Sequence, residues 1–166
     1  MQQILIHIFR ISSLMILSLM IIIACGDNKG QDPAKFGNNK TATVTNESGL
    51  SEFELENGIG LIKSKLSLEK INPELVKKGE AIFSTKCASC HKLDERYVGP
   101  AQRDVWKRKT PEYILNMMLN PEEMYKRHPE VKKLLAEYMT PMPAQNLTMD
   151  DARSLLEYFR KVAEEK

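Results

Sequence analysis

From Asn72 to the C-terminus, apolar positions recur every three or four residues, the spacing that lays them along one face of a helix. Each run opens with its own start signal. Asn72-Pro73-Glu74 supplies a capping side chain, a proline at the first helical position and an acid in the first turn. The helix it begins carries Val76, Gly79, Ile82 and Phe83 on one face. Thr110-Pro111-Glu112 opens a second in the same way, with Tyr113, Ile114, Met117, Met118 and Leu119 as its apolar positions. Asn120-Pro121-Glu122 opens a short third, and Pro129 a fourth that runs through Met139. The last begins at Thr148 with Asp150 and Asp151 in its first turn; Ala152, Leu155, Leu156, Phe159, Val162 and Ala163 then repeat at helical spacing. No strand pattern competes over this stretch, so residues 72–166 are expected to form one all-α domain.

Upstream the pattern changes. Phe53 and Leu55, then Asn57-Gly58, then Ile59 and Leu61 predict a short hairpin, because Asn-Gly suits a tight type I′ turn. A lone hairpin is marginal and would need the domain or a partner to pack on. Residues 26–48 are polar and poor in large apolar groups, and such a segment cannot bury enough surface to offset its ordering entropy. It reads as a tether. At the start, Arg10 precedes an apolar run from Ile11 to Ala24, too short and too near the N-terminus for a membrane span. Residues 1–24 therefore read as an export signal, 25–71 as a polar linker and 72–166 as the domain.

Composition narrows the function. The 166 residues, less signal and linker, leave room for one domain. A formal net charge of +2 is too small to steer the chain toward nucleic acid. Acids and bases interleave from Lys63 to Lys86 and from Arg103 to Lys133, the pattern of solvated helix faces.

The chemistry is concentrated at Cys87-Ala88-Ser89-Cys90-His91, a C-x-x-C-H sequence. Two thiols so spaced on one turn add across the two vinyl groups of one haem, and the adjoining His91 then sits beneath the iron as its proximal ligand. A thioredoxin-like pair would need strand–helix–strand context, which is missing around Cys87. A zinc site would want a second pair of ligands, and the other histidines are only His7 and His128. A plain disulfide leaves His91 without a role. The remaining cysteine, Cys25, ends the apolar run in Ile22-Ile23-Ala24-Cys25-Gly26, which resembles a bacterial lipobox with Ile22 where Leu is usual. In such signals the Cys becomes the first mature residue and carries lipid. The alternatives are an uncleaved anchor, or cleavage that leaves Cys25 a free thiol. With lipid on Cys25 and one haem c on Cys87 and Cys90, all three cysteines are used and no disulfide remains.

Over residues 72–166 the chain resembles the class I c-type cytochromes. Gly79, Ile82 and Phe83 precede the haem motif as that family's first helix does, and Tyr158-Phe159 match the aromatic pair of its last helix. Gly99-Pro100 follows the motif, and Met142-Pro143 precedes the last helix. The stretch from Asn116 to Ala136 is longer than in compact members. The resemblance implies a cytochrome c fold, with several short helices wrapped around one covalently attached haem and the terminal helices crossing near Gly79. It implies His91 and Met142 as axial ligands. Met139, three residues earlier, and His128 in a bis-His site are the other candidates. Met117, Met118 and Met124 suit packing, and His128 a helix cap. The carbonyl of Pro100 is implied to accept the second N–H of His91, fixing its tautomer; a plain turn is the alternative. Trp106 resembles a haem-edge aromatic whose indole N–H meets a propionate, with Arg103 and Arg108 placed to neutralise the same carboxylate. Core burial of Trp106 and solvent exposure of the arginines compete with that role.

The resulting expectation is a one-electron carrier and not an enzyme. It would be lipid-tethered through Cys25 on the periplasmic side of the cell membrane or on the outer membrane. A thioether opposite His91 favours ferrous iron and leaves no open coordination position. The donor would be a quinol-oxidising complex or another cytochrome, the acceptor a terminal oxidase or a nitrogen-oxide reductase. A free carrier and a permanent subunit of one complex would look alike in sequence. If no side chain bound the distal face, the domain would instead be an open-site gas or redox sensor or a peroxidase-like enzyme. A lipoprotein with a structural role and incidental haem is the third reading.

Overall fold

The computed structural model describes residues 48–165. The export-signal reading of 1–24, the lipidation of Cys25 and most of the tether fall outside the described residues. Among these, seven α-helices and one π-turn occur and no strand does. No helix among them is long and apolar enough to cross a membrane.

The first element corrects the expected hairpin. Glu52–Asn57 form a short helix, α1. Ser51 and Glu54 close a capping box: Ser51 Oγ accepts the Glu54 N–H at 3.2 Å, and Glu54 Oε2 accepts the Ser51 N–H at 2.9 Å. Gly58, at φ +78°, terminates the helix, so Asn57-Gly58 is a helix end and not a β-turn. The linker reading also changes, because the chain packs well before residue 72. Leu50 is 0 % exposed and Ile59 6 %.

The helices from Asn72 onward follow the start signals. Helix α2 spans Pro73–Ile82, capped by Asn72 Oδ1, which accepts the N–H groups of Glu74 and Leu75 at 2.9 and 3.3 Å. Its last turn widens into a π-turn, Phe83–Cys87, where the Ala88 N–H donates to Phe83 O at 2.8 Å. Helix α3 is Val105–Arg108, α4 Pro111–Leu119, α5 Pro121–Arg127 and α6 Pro129–Tyr138. Helix α7, Met149–Glu164, opens with a capping box between Thr148 and Asp151.

The terminal helices α2 and α7 cross at Gly79. A Cβ there would lie 2.1 Å from Ser154 O and 2.9 Å from Tyr158 Cβ, so only glycine permits this approach. Phe83 closes the crossing. Its ring centroid lies 5.5 Å from that of Tyr158 and 5.9 Å from that of Phe159, edge-on to the latter. Lys78 Nζ reaches Asp151 Oδ1 at 2.9 Å across the same interface. Ile114, Leu115 and Met118 of α4 complete this main core with Leu155, Leu156 and Val162 of α7.

The described residues also form a second, smaller core. Leu50 and Ile59, from an N-terminal strap over residues 50–66, meet Tyr113, Met124 and Val131 there. Polar groups lock the strap. Asn116 Nδ2 donates to Asn57 O and Ile62 O, both at 3.0 Å, and its Oδ1 accepts the Ile62 N–H at 3.0 Å. Asn120 Nδ2 donates to Ile59 O at 3.1 Å, and Glu112 Oε1 accepts the Leu66 N–H at 2.6 Å. Burial pushes the Tyr113 hydroxyl well above its ordinary range, with the nearby Glu130 carboxylate acting in the same sense.

Candidate haem site

The π-turn delivers Cys87 to the surface of the main core, and the motif then winds one more turn. The N–H groups of Cys90 and His91 both donate to Cys87 O, at 3.0 and 2.9 Å. Single π-turns inside helices frequently mark functional positions, and no residue of Phe83–Cys87 announces one in the sequence. Both thiols stand free and half-buried. Burial pushes the Cys87 thiol up to about 11, with the neighbouring Lys86 charge only partly offsetting it. The folded chain thus holds Cys87 as a neutral thiol at physiological pH, a form that resists disulfide exchange.

After His91 the chain loops outward and returns at Gly99, whose N–H donates to Cys90 O at 2.8 Å. The imidazole lies directly against this residue. A Cβ on Gly99 would sit 2.5 Å from His91 Cε1 and 2.9 Å from Nδ1. His91 Nδ1 is 2.9 Å from Pro100 O, and Gln102 Nε2 lies 2.8 Å from the same carbonyl. A carbonyl oxygen only accepts, so Nδ1 carries the proton and Nε2 presents its lone pair to the opposite side. Gln102 Nε2, 2.9 Å from Nδ1, donates to Pro100 O beside it. Sequence reasoning missed Gln102; only the turn at Pro100 brings its amide to that carbonyl.

The other candidates divide. Trp106, in α3, packs at the edge of α7, with the Arg160 guanidinium 5.4 Å from its ring and Ile71 and Ala163 beside it. Arg103 is held by Asp94 through Nε at 2.7 Å and NH2 at 2.9 Å, and its NH1 donates to Val162 O at the end of α7 at 3.1 Å. The Asp94 carboxylate keeps the Arg103 guanidinium above its ordinary pKa. Arg108 NH2 donates to Ala101 O at 2.9 Å. His128 lies in the second core, 2 % exposed, its Nε2 donating to Leu55 O at 3.1 Å and its ring edge-on to Tyr113. Met118 and Met124 are buried in the two cores, and Met117 packs on the second. Of the two methionines that are candidate axial ligands, Met139 caps α6 in a left-handed conformation, 84 % exposed. Met142 is half-buried in the segment between α6 and α7.

These residues fit one covalently held haem. Two free thiols stand three positions apart on a turn, and the imidazole beside them has Nδ1 bonded and Nε2 open. Among the described residues no cluster of three or more His, Cys, Asp or Glu side chains offers a competing metal centre.

Comparison with known proteins agrees. A family model described as Cytochrome c matches residues 76–163. Cytochrome c-551 of Stutzerimonas stutzeri is 47 % identical over 36 residues, a match spanning 21 % of this chain and 35 % of that protein. The chain thus spans about a third of the length of that curated relative. Among solved structures, a cytochrome c from Rhodothermus marinus is 48 % identical with a TM-score of 0.64, over 68 % of this chain and 97 % of that one. An engineered form of the same cytochrome, bound to a carbene intermediate, is 49 % identical with a TM-score of 0.61, over 67 % and 96 %. Proteins of this kind are typically exported from the cytoplasm. With its helices crossing at Gly79 and its C-x-x-C-H turn backed by Gly99 and Pro100, this chain belongs to the cytochrome c family of haem-based electron carriers and holds one haem c through Cys87 and Cys90.

Proposed function

We propose that the chain is a one-electron carrier in which His91 Nε2 and Met142 Sδ would be the side-chain ligands of the haem iron. The observation that carries this reading is the 2.9 Å contact of His91 Nδ1 with Pro100 O, which leaves Nε2 free to ligate. The bound haem supplies a ferric/ferrous couple, and two protein ligands kept in both states let an electron pass with little rearrangement. The chain's own part is to orient. Pro100 fixes the imidazole tautomer and strengthens its donation. Gly99, lacking a Cβ, leaves room for the ring, and Gln102 shares the accepting carbonyl. Met142 is favoured over Met139 because it is half-buried in the segment before α7, whereas Met139 projects into solvent from a helix end. His128 is already committed to the second core, which argues against a bis-His site and removes the polar distal group that an open-site sensor or peroxidase-like enzyme would need.

By the same reading Cys25 carries lipid and tethers the domain to the periplasmic face of the cell membrane or to the outer membrane. Electrons come from a quinol-oxidising complex or another cytochrome and leave to a terminal oxidase or nitrogen-oxide reductase. The reading has Trp106 pack α3 against α7, since its ring is already under Arg160.

The test is the near-infrared absorption of the purified ferric holoprotein. A weak sulfur-to-iron charge-transfer band is expected, and its loss in Met142→His, with a lower reduction potential, assigns the sulfur to Met142. Absence of the band in the wild type, together with rapid carbon monoxide binding to the ferrous protein, would sink the carrier reading and leave the open-site one.

A further inference from the structure

The segment that carries Met142 has no hydrogen-bond ladder of its own. Helical bonding stops at Met139, whose N–H donates to Leu135 O at 2.8 Å, and resumes at Ala152, whose N–H donates to Thr148 O at 3.0 Å. Between them Pro141 and Pro143 offer no N–H, and Pro143 holds Met142 to extended backbone. Both ends bend through left-handed residues, Met139 at φ +55° and Asn146 at φ +50°. A loop built this way belongs to the low-stability end of a fold unless something outside it restrains it.

Two side chains from the haem-attachment segment do so. Lys86, immediately before Cys87, donates from Nζ to Gln145 O at 3.0 Å. Arg96, shortly after His91, donates from NH1 to Glu137 Oε1 at 2.9 Å and from NH2 to Glu137 O at 3.0 Å. Its guanidinium also stacks 4.2 Å from the Tyr138 ring centroid. The two contacts bracket Met142, one at each end of the loop. Both originate on the segment that carries Cys87 and His91.

We propose that Lys86 and Arg96 are positioning residues that hold the Met142 loop closed by fastening it to the segment carrying Cys87 and His91. This rests on the reading of Met142 as a ligand. The Arg96–Glu137 ion pair is exposed on both sides, 57 % and 51 %, so its charge attraction is largely screened. The restraint comes from the two carbonyl bonds and the stacked ring. Because Lys86 and Arg96 lie outside both cores, their loss shifts the open fraction of the loop and leaves the fold intact.

The experiment follows imidazole entering the ferric holoprotein, a step that must await release of the Met142 sulfur. Lys86→Met and Arg96→Gln should each accelerate entry roughly fivefold, the worth of one such bond. The double variant should show the product of the two, since the contacts lie at opposite ends of the loop. Lys86→Arg, which keeps a donor, should restore the wild-type rate. Amide hydrogen exchange in α2 and α7 should stay unchanged, showing that the fold itself is intact. Unchanged imidazole rates in both single variants overturn the proposal. A wild-type holoprotein without the sulfur-to-iron band overturns the ligand reading instead, and the positioning role falls with it.

Discussion

Gly99 is the residue whose role is most sharply set by its surroundings. Its missing side chain is the space that the His91 imidazole occupies, and an added Cβ would stand 2.5 Å from Cε1. His91 cannot retreat, because its Nδ1 is bonded to Pro100 O and its backbone to Cys87 O. Gly99→Ala should therefore tilt the ring and strain the turn, at a cost of about 1–3 kcal/mol typical of overpacking. The reduction potential and the near-infrared band of the holoprotein should both shift. A variant with wild-type potential and melting temperature would contradict this. Much of the residue scale was readable beforehand. Cys87, Cys90 and His91 each have a chemical task that spacing alone reveals, and the Gly99-Pro100 pair carried the family resemblance. Gln102 was invisible, because a glutamine two positions after a proline has no pattern that distinguishes it from any surface glutamine.

At the scale of elements, the α2–α7 crossing rests on Gly79 and on the Lys78–Asp151 pair. Gly79→Ala would press a methyl group onto Ser154 backbone, which cannot rotate aside as a side chain would. The helices must part, so a loss of about 1–3 kcal/mol is expected in chemical denaturation. Lys78, with help from Thr148, holds the Asp151 carboxyl down to about 2 from an ordinary 3.8. A depressed acid stabilises the fold fully above its unfolded pKa, and the contribution is lost as pH falls through the folded one. The pair should thus steepen acid unfolding between about pH 4 and pH 2. Lys78→Met should flatten that part of the curve; identical acid limbs for the two proteins would rule the pair out. Element starts were legible because Asn72-Pro73, Thr110-Pro111 and Thr148 act through local bonds that need no tertiary partner. The error at Glu52–Asn57 came from weighing Asn57-Gly58 as a β-turn. The capping box at Ser51 and Glu54 was present in the sequence and outweighs it.

At the scale of the whole molecule, the described residues form two cores that should respond separately. Asn116 is 0 % exposed and its side chain serves Asn57 O, Ile62 O and the Ile62 N–H. Asn116→Ala leaves the buried Asn57 O without this partner, at roughly 1–3 kcal/mol, and releases the partly buried N–H and C=O of Ile62. Hydrogen exchange across residues 57–62 should then rise steeply while the haem spectrum stays as in the wild type. A spectral change of the same size would mean that strap and haem site form one cooperative unit. Spacing and composition alone determined the helical class and the haem-attachment turn, because those features depend on neighbours in sequence or on one residue's chemistry; the crossing at Gly79 was implied by the family resemblance. Only the tertiary structure decided that residues 50–66 belong to the domain, that His128 is buried away from the haem motif, and that Lys86 and Arg96 reach the Met142 loop. Those contacts join residues between 41 and 73 positions apart, and nothing local in either partner encodes the meeting.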